Sequence, residues 1–170
     1  PKDLKLSIHS GSDKFKIYPV MGKLIKKHGA GLHLKTAGTT WLEELIGLSH
    51  AGGDALGIVK EIYALSLARF DELCAPYAAV VAIDKDRLPS PKTVASWSGD
   101  QMARALEHNQ ACPDYDTSLR QLFHVGFKIA AEMGDDFFEA LDTHSEIIGA
   151  NVTYNLYERH IVPLFLTDTI

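Results

Sequence analysis

The sequence predicts a mostly α-helical chain that carries two short parallel β-strands at its beginning. Three observations lead there. Two strand–loop–helix units follow one another within the first fifty residues. After Gly52-Gly53 that pattern stops. From there on, apolar residues recur at helical spacing almost to the end.

The first unit starts with the short apolar run Leu4–Ile8, read as a strand. It breaks into the polar stretch His9-Ser10-Gly11-Ser12-Asp13-Lys14. A helix is expected from Pro19 to His28, because proline suits a first helical turn and Gly29 a C-terminal stop. Val20, Leu24, Ile25 and His28 share one face of it. The second unit opens with GLHLK, Gly31–Lys35, as a strand. The loop TAGT follows, then a helix from Trp41 to Ser49. Thr40 and Glu43 have the spacing of a capping box, in which the hydroxyl and the carboxylate satisfy exposed amides at the helix start. The order βαβα implies parallel strands with helices packed outside them.

The remainder reads as helix after helix. Asp54–Arg69 has Val59, Ile62, Tyr63 and Ser66-Leu67 near helical spacing. PYAAVVAI, Pro76–Ile83, is read as helix on its alanines, although its β-branched residues would suit a strand. Val94–His108 is helical with a break at Ser98-Gly99. Thr117–Met133 is a single helix with a stripe of Leu119, Leu122, Phe123, Phe127 and Ala130, stopped by Gly134. Phe137–Leu141 and Glu146–His160 complete the set, with Pro163 at or beyond the last helix end. The domain division expected is residues 1–50 as two βα units of an incomplete barrel and residues 51–170 as a helical region packing on them. Two parallel strands do not make a self-sufficient sheet. Either the strands are an appendage to a helical protein, or they belong to a sheet with further members.

Composition narrows the function classes. With 46% hydrophobic and 23% charged residues, the 170-residue chain has the means to build a core. A net charge of −5 without a basic block argues against nucleic-acid binding. No stretch approaches the roughly 20 apolar residues of a membrane span. Cys74 and Cys112 form no CxxC pair, which fits a reducing cytoplasm.

Strand alternation supplies the functional candidates. In GLHLK, His33 and Lys35 share a face and the leucines share the other; in KLSIH, Ser7 and His9 lie opposite Ile8. If the leucines and Ile8 face the covering helices, His9, His33 and Lys35 face the other way. A neutral imidazole at a strand end is a fair ligand for a divalent metal, and equally an ordinary surface histidine. Lys35 could orient an anionic substrate or stabilise an enolate, or be a solvated lysine. Asp13 and Lys14 could clamp a substrate or form a weak surface pair. The loops HSGSD and TAGTT precede helices but match no phosphate-binding fingerprint. His124 lies within the Thr117–Met133 helix, His28, His50, His108, His144 and His160 sit near expected helix ends or on polar faces, and the two cysteines have no basic partner.

The stretches KLSIHSGSDKFKIYPVMGKL, GLHLKTAGTTWLEEL, LCAPYA, RQLFHVGFKIAAE and NVTYNLYERHIVPLF closely resemble the C-terminal part of the tagaturonate/fructuronate epimerase family. The match keeps order and spacing over nearly the whole chain. It implies a bacterial, cytoplasmic, metal-dependent isomerase of hexuronate catabolism on a TIM-barrel, hence α/β, scaffold. Family members are much longer, so the resemblance implies a C-terminal segment carrying the last barrel strands and a helical tail, inactive alone. It further implies His9 and His33 as ligands of a divalent metal such as Zn or Mn, and Ser10, Asp13 and Lys14 as substrate-binding residues. Lys35 would be the catalytic residue of this segment, with the other ligands and an acid/base carboxylate supplied elsewhere.

The implied reaction inverts a hydroxyl-bearing carbon of a keto-hexonate that is β to the ketone, where simple enolisation does not activate the C–H bond. Retro-aldol cleavage with re-addition and deprotonation–reprotonation both remain open. So do two other readings: an isomerase or aldolase acting on another sugar acid or sugar phosphate, and a non-catalytic helical interaction domain. A segment of this kind would also self-associate through exposed strand edges.

Overall fold

The structure, a computed structural model, describes residues 5–9 and 14–166. It is mostly helical with two short parallel strands. The chain forms two compact units, Pro1–Thr40 with Ala150–Ile170, and Trp41–Gly149.

The first unit holds both strands, β1 (Lys5–His9) and β2 (Gly31–Lys35), paired in parallel. The register sets Ser7 opposite His33, Ile8 opposite Leu34 and His9 opposite Lys35. A short 3-10 turn, Phe15–Ile17, leads into helix α1, Tyr18–His28. Pro19 lies in its first turn, and Gly29 closes it in the left-handed conformation at φ 57° that glycine adopts without penalty. Ile8, Tyr18 and Leu164 form the core here, with Phe15, Met21, Leu32 and Leu34 packed around them. The alternation expected of the strands therefore holds: Ile8 and the β2 leucines are covered, and His33 and Lys35 are exposed.

The α1 face expected to be covered is only partly so. Val20 and Leu24 are exposed, while Tyr18 and Gly22 are buried. Periodicity located an apolar stripe, but packing chose the adjacent one. The reason is the last helix, a π-helix over Asn155–Leu166, which lies against α1. A Cβ on Gly22 would come within 2.6 Å of the Pro163 carbonyl oxygen and 2.8 Å of that of Leu164. Only a residue without a side chain lets the two backbones meet at that point. The same contact explains why Pro163 lies inside the final helix rather than at or beyond its end. Packing on α1 outweighs the local penalty of an interior proline.

His160, expected near a helix end or on a polar face, is fully buried in this unit. Its Nδ1–H donates to the Asn155 carbonyl at 2.9 Å, one π-turn back. Its ring meets Phe15 and Tyr18 at centroid distances of 5.2 and 5.3 Å. The Arg159 guanidinium lies 3.8 Å from the centre of the Phe15 ring, a cation–π contact.

The second unit is all helical among the described residues. Helix α2, Ala37–Ala51, begins in the first unit and brings Trp41, Leu42, Leu45, Ile46 and Leu48 into the core of the second. It starts four residues earlier than expected. The Thr40 amide donates to the Thr36 carbonyl at 2.9 Å, and the Thr40 hydroxyl donates back to the same oxygen at 3.2 Å. Thr40 is thus inside the helix, and the expected capping box with Glu43 does not form. Residues Ala37–Thr40 are the first helical turn rather than a loop.

Helix α3, Gly53–Ala68, buries Ala55, Val59, Ile62, Tyr63 and Ser66, the stripe its spacing predicts. Helix α4 covers Phe70–Cys74. PYAAVVAI does not continue as helix. After a 3-10 turn, Ala75–Tyr77, the chain turns and runs irregularly. The Val80 and Val81 amides still reach the Tyr77 carbonyl, but beyond them Ala82 N–H donates to Gln121 Oε1 at 2.7 Å and Asp84 N–H to Ser118 Oγ at 3.0 Å. Helices α5 (Pro91–Ala95) and α6 (Gly99–Leu106) are separated as expected, with Ser98 accepting from the Gln101 amide at 3.2 Å. The Lys60 ammonium donates to the Ala95 carbonyl at the end of α5 and the Trp97 carbonyl just beyond it, at 2.9 and 2.7 Å.

The segment expected as one helix, Thr117–Met133, is two: α7 (Thr117–Val125) and α8 (Phe127–Met133). The break is at Gly126, where a Cβ would stand 2.5 Å from Ser66 Oγ. There the Ile129 amide reaches back only three residues, to the Gly126 carbonyl. Phe127, expected in the buried stripe, is exposed beyond the break, although its ring still meets Trp41 edge-on at 5.4 Å. Helices α9 (Asp135–Thr143) and α10 (Ser145–Tyr154) complete the chain before the π-helix.

Candidate active site on the exposed strand face

The site candidates lie on and beside the uncovered face of the two-stranded ladder. Parallel pairing puts the C-terminal ends of β1 and β2 side by side, with His9 in register with Lys35. In open and closed α/β sheets, strand carboxyl ends are where ligands bind. One step earlier in the same register, Ser7 Oγ and His33 Nδ1 are 3.2 Å apart. That contact fixes a common face for the two side chains, opposite the packed Ile8 and Leu34. The hydroxyl, the imidazole and the Lys35 ammonium are all exposed.

Of the remaining candidates, Lys14 immediately precedes the Phe15–Ile17 turn and is exposed. Ser10 and Asp13 lie outside the described residues, as does the side chain of His9. The structure thus brings together the backbone of His9 with Lys35, and the side chains of Ser7 and His33. The contact between Ser7 and His33 was the one pairing the sequence did not reveal. Alternation put Ser7 on the His9 side of β1, but only the inter-strand register shows which residue it meets.

Among the described residues, no three His, Cys, Asp or Glu side chains gather as a metal site. His33 nevertheless has the form of one ligand of such a site. One ring nitrogen is engaged by a neighbouring hydroxyl while the residue is exposed, and where that nitrogen carries the proton the other is left for a metal. The donor chemistry, an imidazole beside a lysine, suits a divalent cation with an anionic substrate. Among the described residues, no helix is long and apolar enough to cross a membrane.

Comparison with known proteins identifies the family. The family model for UxaE, tagaturonate epimerase, matches residues 3–162. A tagaturonate/fructuronate epimerase of Thermotoga maritima is 28% identical over 160 residues, covering 92% of this chain and 29% of its own length. A crystal structure of the fructuronate-tagaturonate epimerase UxaE from Cohnella laeviribosi, complexed with one glycerol, superposes with a TM-score of 0.72 at 25% identity. It is covered over 30% of its length by 94% of this chain. The chain therefore spans about three-tenths of the length of these relatives. The family match takes in β1, β2 and the ten α-helices of the described residues, and on that extent this chain belongs to the tagaturonate epimerase family.

Proposed function

We propose that this chain is part of a metal-dependent isomerase that interconverts tagaturonate and fructuronate, a reaction of hexuronate catabolism in the cytoplasm. The single observation that carries the reading is the family match through residues 3–162, which includes both strands and their polar C-terminal ends. The two ladder strands would be members of a TIM barrel, and the exposed Ser7–His33–Lys35 face would line its interior.

His9 and His33 would hold a divalent cation such as Zn²⁺ or Mn²⁺, together with ligands from outside this segment. When bound, that cation supplies Lewis acidity at a substrate oxygen. Lys35 would bind the carboxylate of the keto sugar acid through a charge-assisted hydrogen bond and so fix which carbon faces the reacting groups. Ser10, Asp13 and Lys14 would bind its hydroxyls and orient the chain of the substrate. Because the segment spans only about three-tenths of its relatives, it would be inactive alone.

The test is an assay of the complete protein with tagaturonate, before and after chelation and with Zn²⁺ or Mn²⁺ restored. Activity lost on chelation and regained with metal supports the reading. Full activity in chelator removes the metal, and no conversion of tagaturonate under any condition removes the substrate.

A further inference from the structure

Resting on that reading, we infer that Ser7 is a positioning residue that sets the tautomer of His33 for metal binding. An imidazole that gives one ring nitrogen to a metal carries its proton on the other, and a hydrogen bond to that N–H fixes both tautomer and ring orientation. On β1 the partner is in place: Ser7 Oγ stands 3.2 Å from His33 Nδ1. With Nδ1–H donating to Ser7 Oγ, the Nε2 lone pair of His33 is the one left to bind the cation. The opposite arrangement, with the hydroxyl donating to Nδ1, would leave a proton on Nε2 and bar it from ligation.

The placement is built by the ladder rather than by a flexible loop. Ser7 and His33 are direct partners in the parallel register, flanked by Ile8 opposite Leu34, whose side chains are packed on the other face. The backbone that carries each group is therefore held. Ser7 itself is exposed and makes no core contact that its replacement would remove.

The experiment measures Zn²⁺ affinity of the complete protein by competition with a chromogenic chelator. It compares wild type with Ser7→Thr, Ser7→Val and His33→Ala. Threonine and valine have nearly the same shape and both suit a strand, but only threonine keeps the hydroxyl. Ser7→Val should weaken Zn²⁺ binding about tenfold, the lower end of the effect of losing a ligand-orienting partner, while Ser7→Thr stays within about twofold of wild type. If His33→Ala loses the metal but Ser7→Val binds as wild type does, or Thr and Val weaken alike, the role of Ser7 is overturned and the metal reading stands. If His33→Ala binds Zn²⁺ as wild type does, both are overturned.

Discussion

The indole N–H of Trp41 donates to the carbonyl of Phe123 at 2.9 Å, joining α2 to the last full turn of α7. That carbonyl sits just before the Gly126 break, where the backbone ladder tightens to a three-residue bond. A side chain inserted into a helical carbonyl row is a known cause of kinks. Trp41 thus takes up an acceptor at the place where α7 and α8 separate. Trp41→Phe keeps most of the apolar contact with Phe137 but leaves the buried carbonyl without this donor. The expected loss is about 1–3 kcal/mol of stability, read from the urea midpoint.

Gly22 and Gly57 should respond to alanine with opposite signs. At Gly22 the new methyl would meet the Pro163 backbone, which cannot swing aside as a side chain would. Gly22→Ala should cost roughly 1–3 kcal/mol, as overpacking does. At Gly57, exposed within α3, nothing lies within 4 Å of an added Cβ. Gly57→Ala should add about 0.5–1 kcal/mol by removing glycine's excess freedom in a helix. Thermal melts of the two variants against wild type check both signs.

Acid should weaken the contacts that tie α4 to α8. Arg69 bonds Glu72 and Glu132, and Lys128 reaches Glu72 at 2.6 Å. The hydrogen bonds from Arg69 and then Lys128 hold the Glu72 carboxyl down at about 2, and Arg69 likewise lowers Glu132. A carboxyl lowered in the folded state stabilises it fully above its unfolded pKa of 4.5. The contribution fades as pH falls from there through about 2. Glu72→Gln should flatten the fall in urea midpoint across that window, and added salt should shrink the difference, since these groups are exposed. An unchanged pH slope in the variant would count against the network.

Lys35→Met in the complete protein should lower kcat/KM for tagaturonate about a hundredfold if the ammonium binds the substrate carboxylate. A substrate analogue lacking the carboxylate should be affected far less. Equal losses on both compounds would move Lys35 from substrate binding to a structural role.

Much of the strand geometry was legible because it depends on alternation alone. Ile8, Leu32 and Leu34 could be assigned to one face and His33 and Lys35 to the other without knowing what covered them. Helix ends marked by their own residues were equally readable: Gly29 after α1, Ser98 before α6, Gly134 after α8. What escaped were features decided by distant partners. The split at Gly126 depends on Ser66 and Trp41, the inward face of α1 on Pro163 and Leu164, and the unwinding after Tyr77 on acceptors from Gln121 and Ser118. The Thr40–Glu43 pattern failed for a local reason: a threonine can bond a carbonyl four residues back within a helix as readily as it can cap one. Ser7 was passed over as a site residue because only the register couples it to His33.

The unit that carries the strands is assembled from both ends of the described chain, with the whole Trp41–Gly149 unit inserted between its halves. On the ribosome, β1, α1 and β2 emerge before Leu164 and wait for it before their core can close. The inserted unit, being continuous, can fold during that wait. Completion of the strand-bearing unit thus follows synthesis of the Trp41–Gly149 unit, limited by the arrival of the π-helix. A chain halted before residue 155 would carry a finished helical unit and a pair of strands whose core lacks Leu164.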